Sequence, residues 1–105
     1  MVAVDDQGAE ASYTIGDDGL WELALIEGLA QTAAALRSGQ GAPPAPGMLV
    51  GVRRMELLAR PAPGERVRYR VRLVRDLPPL TLVEGEARVE STGALLCRGE
   101  LKFHA

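Results

Sequence analysis

The sequence predicts an α+β domain in which one long central helix is wrapped by an antiparallel sheet of about five or six strands. Three observations predict it. The chain has 105 residues, one domain's worth with no room for a second core, so residues 1–105 are read as a single domain. Leu20 to Arg37 runs without a proline and is built mostly of good helix formers. Beyond it, three segments alternate apolar and charged residues with period two, the pattern of an antiparallel sheet that is wet on one face.

In chain order, Met1–Val4 reads as a short first strand and Asp5-Asp6-Gln7-Gly8 as its turn. Residues 10–15 (Glu-Ala-Ser-Tyr-Thr-Ile) form the next strand and end at Gly16-Asp17-Asp18-Gly19, a strong turn signal. Asp17 or Asp18 caps the helix, Arg37 sits in its last turn and Ser38-Gly39 closes it. Apolar residues go nearly all the way round this helix, from Leu20 and Trp21 to Leu36, which predicts burial on every side. Gln40 to Gly47 is too rich in Pro and Gly to be regular. Four extended segments follow at about 48–58, 66–75, 80–90 and 94–103.

Arg66, Arg68, Arg70 and Arg72 interleave with Val67, Tyr69, Val71 and Leu73. Glu84, Glu86 and Glu90 interleave with Val83, Gly85, Ala87 and Val89, so the Arg-rich and Glu-rich rows are expected to pair across the outer face. Arg98, Glu100 and Lys102 interleave with Cys97, Gly99, Leu101 and Phe103, which places Cys97 inward as a buried structural thiol. Arg53 and Arg54 are flanked by apolar residues, so one of them is expected to turn toward the helix or an interface.

Lys plus Arg number 12 against 14 Asp plus Glu, a net charge of -2. That balance provides no global field for nucleic acid or an anionic membrane, and neither is expected as a partner. Eleven of the basic residues are Arg, which with the abundance of Ala, Gly and Pro reads as GC-rich codon usage. A single cysteine excludes an internal disulfide and fits a reducing compartment. Cys97 and His104 alone cannot furnish a zinc site, and no metal or organic cofactor is expected. No apolar run reaches the ~18 residues of a membrane span, and the N-terminus lacks the basic and apolar regions of a secretory signal, so the expected location is cytoplasmic. A chain this small buries only about 60–65% of its unfolded surface, which favours an oligomer.

Glu27 is the sharpest candidate for chemistry. An ionised carboxylate in the middle of an apolar helix is costly, so its pKa is expected to rise unless partners compensate. The competing reading places it at the helix's one wet or interface-facing edge. Gln31, four residues on, shares its face. His104, the sole histidine, is read as an exposed terminal residue.

Two segments carry a resemblance. Leu25-Ile26-Glu27-Gly28-Leu29-Ala30-Gln31-Thr32-Ala33-Ala34 resembles the central-helix motif (V/I)-E-x-(M/L)-A-Q-x-x-A of hotdog-fold 3-hydroxyacyl-[acyl-carrier-protein] dehydratases. Gly47-Met48-Leu49-Val50-Gly51-Val52-Arg53-Arg54-Met55-Glu56-Leu57 resembles the following strand, G-F-L-L-G-x-R-x-x-x-L, of a shorter dehydratase-like branch linked to aryl-polyene-type lipid clusters. Pro63-Gly64-Glu65 is similar to the family's P-G-D/E turn.

The resemblance implies a hotdog fold, a homodimer or higher oligomer whose sheets join edge to edge, and an interface site for an acyl chain carried as a thioester on acyl carrier protein or CoA. It implies a lyase of fatty-acid or polyketide-type metabolism with Glu27 and Gln31 as the catalytic pair. Gly19, Leu20, Trp21 and Leu23 at the helix start, with Arg53, are the implied substrate-binding residues. The free N–H groups of the helix start would steady a thioester carbonyl, and Arg53 a phosphate of the thioester arm. The chain departs from the family in one respect. The catalytic histidine sits in an H-F-P-G-x-P segment, and Gly16-Asp17-Asp18-Gly19-Leu20-Trp21 stands in its place. In the shorter branch a Pro-His-rich segment precedes the point where Met1 begins. Whether the chain is an enzyme by itself is therefore open: the readings are a dehydratase completed by a histidine-bearing hotdog subunit, a hotdog acyl thioesterase, or a non-catalytic acyl-binding subunit.

Overall fold

Alternating apolar and charged side chains build the sheet, and one helix crosses its apolar face. A computed structural model describes residues 2–4, 8–16, 21–39, 48–77 and 79–104. The elements are β1 (Val2–Val4), β2 (Gly8–Thr14), α1 (Trp21–Gly39), β3 (Met48–Leu57), β4 (Arg66–Leu77), β5 (Leu80–Val89) and β6 (Leu95–His104). The six strands form one antiparallel sheet in the order β1-β2-β4-β5-β6-β3. The helix thus carries the chain from β2 to the opposite edge, where β3 pairs with β6. Helix and sheet are as the sequence predicts, with boundaries shifted by one or two residues. The proposed cap residues Asp17 and Asp18, turn residues 5–7 and the Pro-rich loop at 40–47 lie outside the described residues.

The inner face holds the core. Val67, Tyr69 and Val71 of β4, Val83 and Ala87 of β5, and Cys97 and Leu101 of β6 are all buried. From the helix, Leu25, Leu29, Ala33 and Leu36 meet them, at the three- and four-residue spacings of one helical stripe. Each buried leucine contributes about 1.5–3 kcal/mol of transfer free energy. Helix and sheet approach closely where Gly28 lies over Tyr69: a Cβ at position 28 would overlap the Tyr69 ring carbons.

The outer face is charged and self-paired. Arg66 and Arg68 bind Glu90, Arg68 and Arg70 bind Glu10, and Arg72 binds Glu84 through its Nε at 2.7 Å. The expected pairing of Arg and Glu rows is realised, with Glu10 of β2 as an additional anion.

Three departures from simple alternation matter. In β6, Leu96 and Cys97 both face inward because the register against β5 shifts between Ala87 and Arg88. In β4 the register slips between Leu73 and Arg75. In β3 it slips between Arg53 and Glu56, with Arg54 at φ 53°, a left-handed conformation costing on the order of 1–3 kcal/mol in a residue other than glycine. The bulge leaves both Arg53 and Arg54 exposed. Neither turns toward the helix, so of the two expected directions only that toward an interface is left.

Candidate functional site

The helix is not buried on every side by its own chain, which corrects the reading from composition. Its sheet-facing stripe is covered, but Leu23, Glu27, Gln31 and Ala34 stand exposed along the opposite ridge. Leu23 is 59% exposed, and Ile26 and Ala30 are half-buried beside the ridge. The sheet can cover only one side of a cylinder, so an all-round apolar helix leaves an apolar strip open. Glu27 and Gln31 are one turn apart on that strip and present a carboxyl and an amide in the same direction.

Beneath Glu27 the packing is specific. Gly28 lets the helix settle on the Tyr69 ring, and the Tyr69 hydroxyl donates a long hydrogen bond of 3.5 Å to the carbonyl of Ala24. Tyr13 packs against Tyr69 with ring centroids 5.7 Å apart. Burial pushes the Tyr69 phenol up to about 12, and the negative charges of Cys97, Tyr13 and Glu27 act in the same direction. Glu27 therefore sits close enough for its charge to be felt at the phenol. Sequence reasoning placed Tyr69 on the apolar face without giving it a part in the site. The signal was Gly28: a glycine inside a helix marks a close approach.

The remaining predicted residues divide. Trp21 is half-buried at the first turn of α1 and packs against the core, and Leu23 begins the exposed ridge. Gly19 and Leu20 lie outside the described residues. Arg53 is not brought to this ridge. It stands opposite Glu100 on the outer face of the sheet and makes no ion pair among the described residues, whereas Arg54 lies 3.8 Å from Glu100. His104 is also remote. Tyr69 pairs with Ala87 and Ala87 with Cys97, so Cys97 marks the level of Gly28. His104 is seven residues further along β6, about 23 Å at strand rise, and exposed at the end of the sheet.

A concavity of about 410 Å³ lies on the outer face of the sheet, lined by residues including Arg70, Arg72, Glu84, Arg98 and Glu100. Its charges neutralise one another, Arg72 with Glu84 and Arg98 with Glu56, which makes it a solvated ion-pair surface. The chemistry-bearing residues are on the helix instead. Cys97 takes no part in either surface: it is buried, and burial pushes its thiol up to about 11. Among the described residues no three His, Cys, Asp or Glu side chains gather as metal ligands would, and no helix is long and apolar enough to cross a membrane.

No family model matches the sequence, and no curated protein matches it. Solved structures do. The dehydratase heterocomplex ApeI:P from Xenorhabdus doucetiae contains a chain similar to this one with TM-score 0.81 at 22% identity, over 97% of this chain and 77% of that one. A hypothetical thioesterase with coenzyme A from Streptococcus pneumoniae is similar with TM-score 0.78 at 10% identity, over 98% and 82% of the two chains. A 1,4-dihydroxy-2-naphthoyl-CoA thioesterase from Synechocystis is similar with TM-score 0.76 at 12% identity, over 92% and 80%. The fold shared with these proteins is the hotdog fold, a sheet curled around a single helix.

Proposed function

We propose that this hotdog chain binds an acyl group carried as a thioester along the open ridge of α1, with Glu27 as its acid–base group and a second hotdog chain closing the site. One observation carries the reading: Glu27 and Gln31 are the polar pair on an otherwise apolar helix ridge that the chain's own sheet leaves uncovered. A second chain laid over Leu23, Ile26 and Ala30 would bury apolar surface at about 25 cal/mol per Å². It would also take the Glu27 carboxyl out of bulk water, where a positioned acid acts on a bound substrate.

The reaction is dehydration of a 3-hydroxyacyl thioester. A base removes the proton from the carbon next to the thioester carbonyl, the carbon–oxygen bond at position 3 breaks, and Glu27 delivers the proton with which the hydroxyl leaves as water. Gln31 steadies the carboxyl or the departing oxygen from the next turn. No histidine of the described residues lies at the level of Glu27, so the base comes from the second chain. A dehydratase built as a heterocomplex on this fold supports that division of labour.

A second reading is acyl-thioester hydrolysis, in which Glu27 activates water and no partner histidine is needed. The distance of His104 from the ridge favours it, as do the thioesterases that share the fold.

The experiment supplies a 3-hydroxyacyl-CoA to the chain alone and to the chain mixed with a histidine-bearing hotdog subunit. Enoyl-thioester absorbance in the mixture only, abolished by Glu27→Gln, is the expected result. Thiol release by the chain alone establishes the thioesterase and overturns the dehydratase. Ligand binding without either product leaves an acyl-binding subunit and removes catalysis from the reading.

A further inference from the structure

The outer face of the sheet changes character at the end where β4 turns into β5. Over the middle of that face, guanidinium and carboxylate groups cancel in pairs. Nearer the turn, Arg75 stands opposite Leu82 and Leu82 opposite Lys102. In the next row Leu77 stands opposite Leu80 and Leu80 opposite His104. Cross-strand partners share a face. Because Thr81, Val83 and Phe103 are buried, these six residues point outward. Leu77 is 60% exposed and Leu80 37%.

Among the described residues, neither Arg75 nor Lys102 makes an ion pair. The nearby carboxylate of Asp76 is turned to the other side, where it accepts a hydrogen bond from Thr81 at 3.1 Å. The result is an apolar pair on β5, Leu80 and Leu82, extended by Leu77 on β4, with Arg75 on the β4 flank and Lys102 on the β6 flank about 10 Å apart, two strand spacings, and neither cation paired among the described residues.

We propose that this patch is a docking surface for an acidic amphipathic helix of a partner protein. The leucine strip accepts an apolar helical stripe, while acidic residues on its two flanks reach Arg75 and Lys102 from opposite sides. The charge pattern selects this occupant over two others. A second copy related by a two-fold axis through the centre of the patch sets Arg75 and Lys102 against their own copies or against each other, like charge against like in either case. An anionic membrane gains only about 1 kcal/mol per basic side chain, opposed by the net charge of -2 on the whole chain. The patch faces away from α1, so a docked helix leaves the Glu27 ridge free, and the inference stands whether or not that ridge is catalytic.

The test titrates the isotope-labelled full chain with a synthetic amphipathic peptide bearing Leu on one stripe and Glu on the rest. The same peptide with Lys for Glu, and phosphatidylglycerol vesicles, are run in parallel. The expected result is amide shifts confined to Arg75–Leu77, Leu80–Leu82 and Lys102–His104, weakening with added salt. Binding is expected to fall about tenfold or more in Arg75→Glu/Lys102→Glu and to survive in Arg75→Lys/Lys102→Arg, with both variants folded by circular dichroism. Absence of binding, shifts on α1 instead, equal binding of the Lys peptide, or binding to the vesicles alone each overturns the proposal.

Discussion

The ring of Tyr69 occupies the space that a side chain at Gly28 would take. This joint sets the height of the helix above the sheet and lies one residue from Glu27, so it is the mechanical support of the candidate site. Gly28→Ala should destabilise the protein by about 1–3 kcal/mol through overpacking, although Ala is the better helix former by up to about 1 kcal/mol. Urea denaturation measures the change. Tyr69→Leu should relieve the clash, so a double-mutant cycle between the two positions should be strongly non-additive.

Glu27→Gln keeps the shape of an exposed side chain and should alter the stability of the isolated chain by no more than about 0.5 kcal/mol. Turnover of a thioester substrate by the assembled protein should fall by roughly 10²–10⁴, the range for loss of a positioned acid or base. A stability loss matching the loss of turnover would assign Glu27 a structural role instead.

Leu23 is the large apolar side chain that stands exposed on the ridge. Leu23→Asp should shift the protein toward monomer in light scattering while leaving its far-ultraviolet circular dichroism unchanged, since a charge there faces any chain laid over α1. An unchanged mass would place the assembly surface elsewhere.

Alkaline pH should weaken the fold in a defined window. Burial raises Cys97 from 9.0 to about 11 and Tyr69 from 10.0 to about 12. The unfolded chain therefore releases these protons first, and stability is full below pH 9 and declines as pH rises from about 9 toward 12. Each group accounts for on the order of 2–3 kcal/mol across its window, the repulsion by the Cys97 thiolate being part of the Tyr69 share. Denaturation midpoints at pH 8 and 11 for the parent and Tyr69→Phe measure it, and the variant should lose part of the decline.

At the acid end, Ser12 donates a 2.8 Å hydrogen bond to Glu90, which also meets Arg66 and Arg68. The serine bond and then the two guanidinium groups lower the Glu90 pKa, so what the carboxylate contributes is present at neutral pH and lost as pH falls through its folded value. Ser12→Ala should move the Glu90 titration upward by nuclear magnetic resonance, and an unmoved titration would leave the arginines as its cause.

Much of the fold was legible in period-two alternation. Val67, Tyr69 and Val71 face in and Arg66, Arg68 and Arg70 face out because any other register would bury guanidinium groups. The bulges at Arg54 and Leu96 were not legible, since one inserted residue leaves the alternation intact on both sides and only the partner strand exposes the slip. The helix misled for a different reason. Apolar content shows that a surface wants cover without saying which chain supplies it, so Leu23 read as buried and stands open, while Glu27 takes the open edge that its competing reading gave it. The closeness of Tyr69 to Glu27 depends on positions over forty residues apart, and only Gly28 hinted at it.

The placement of β3 also governs how the molecule can be made. Its hydrogen-bonding partner is β6, nearly forty residues downstream, so during synthesis the segment leaves the ribosome with its whole ladder unmatched. Long-range pairing of this kind is slow and leaves sticky backbone available to strangers. Closure of this architecture therefore waits until β6 has been made, and a nascent chain stalled before Leu95 would hold a finished helix above an open seam.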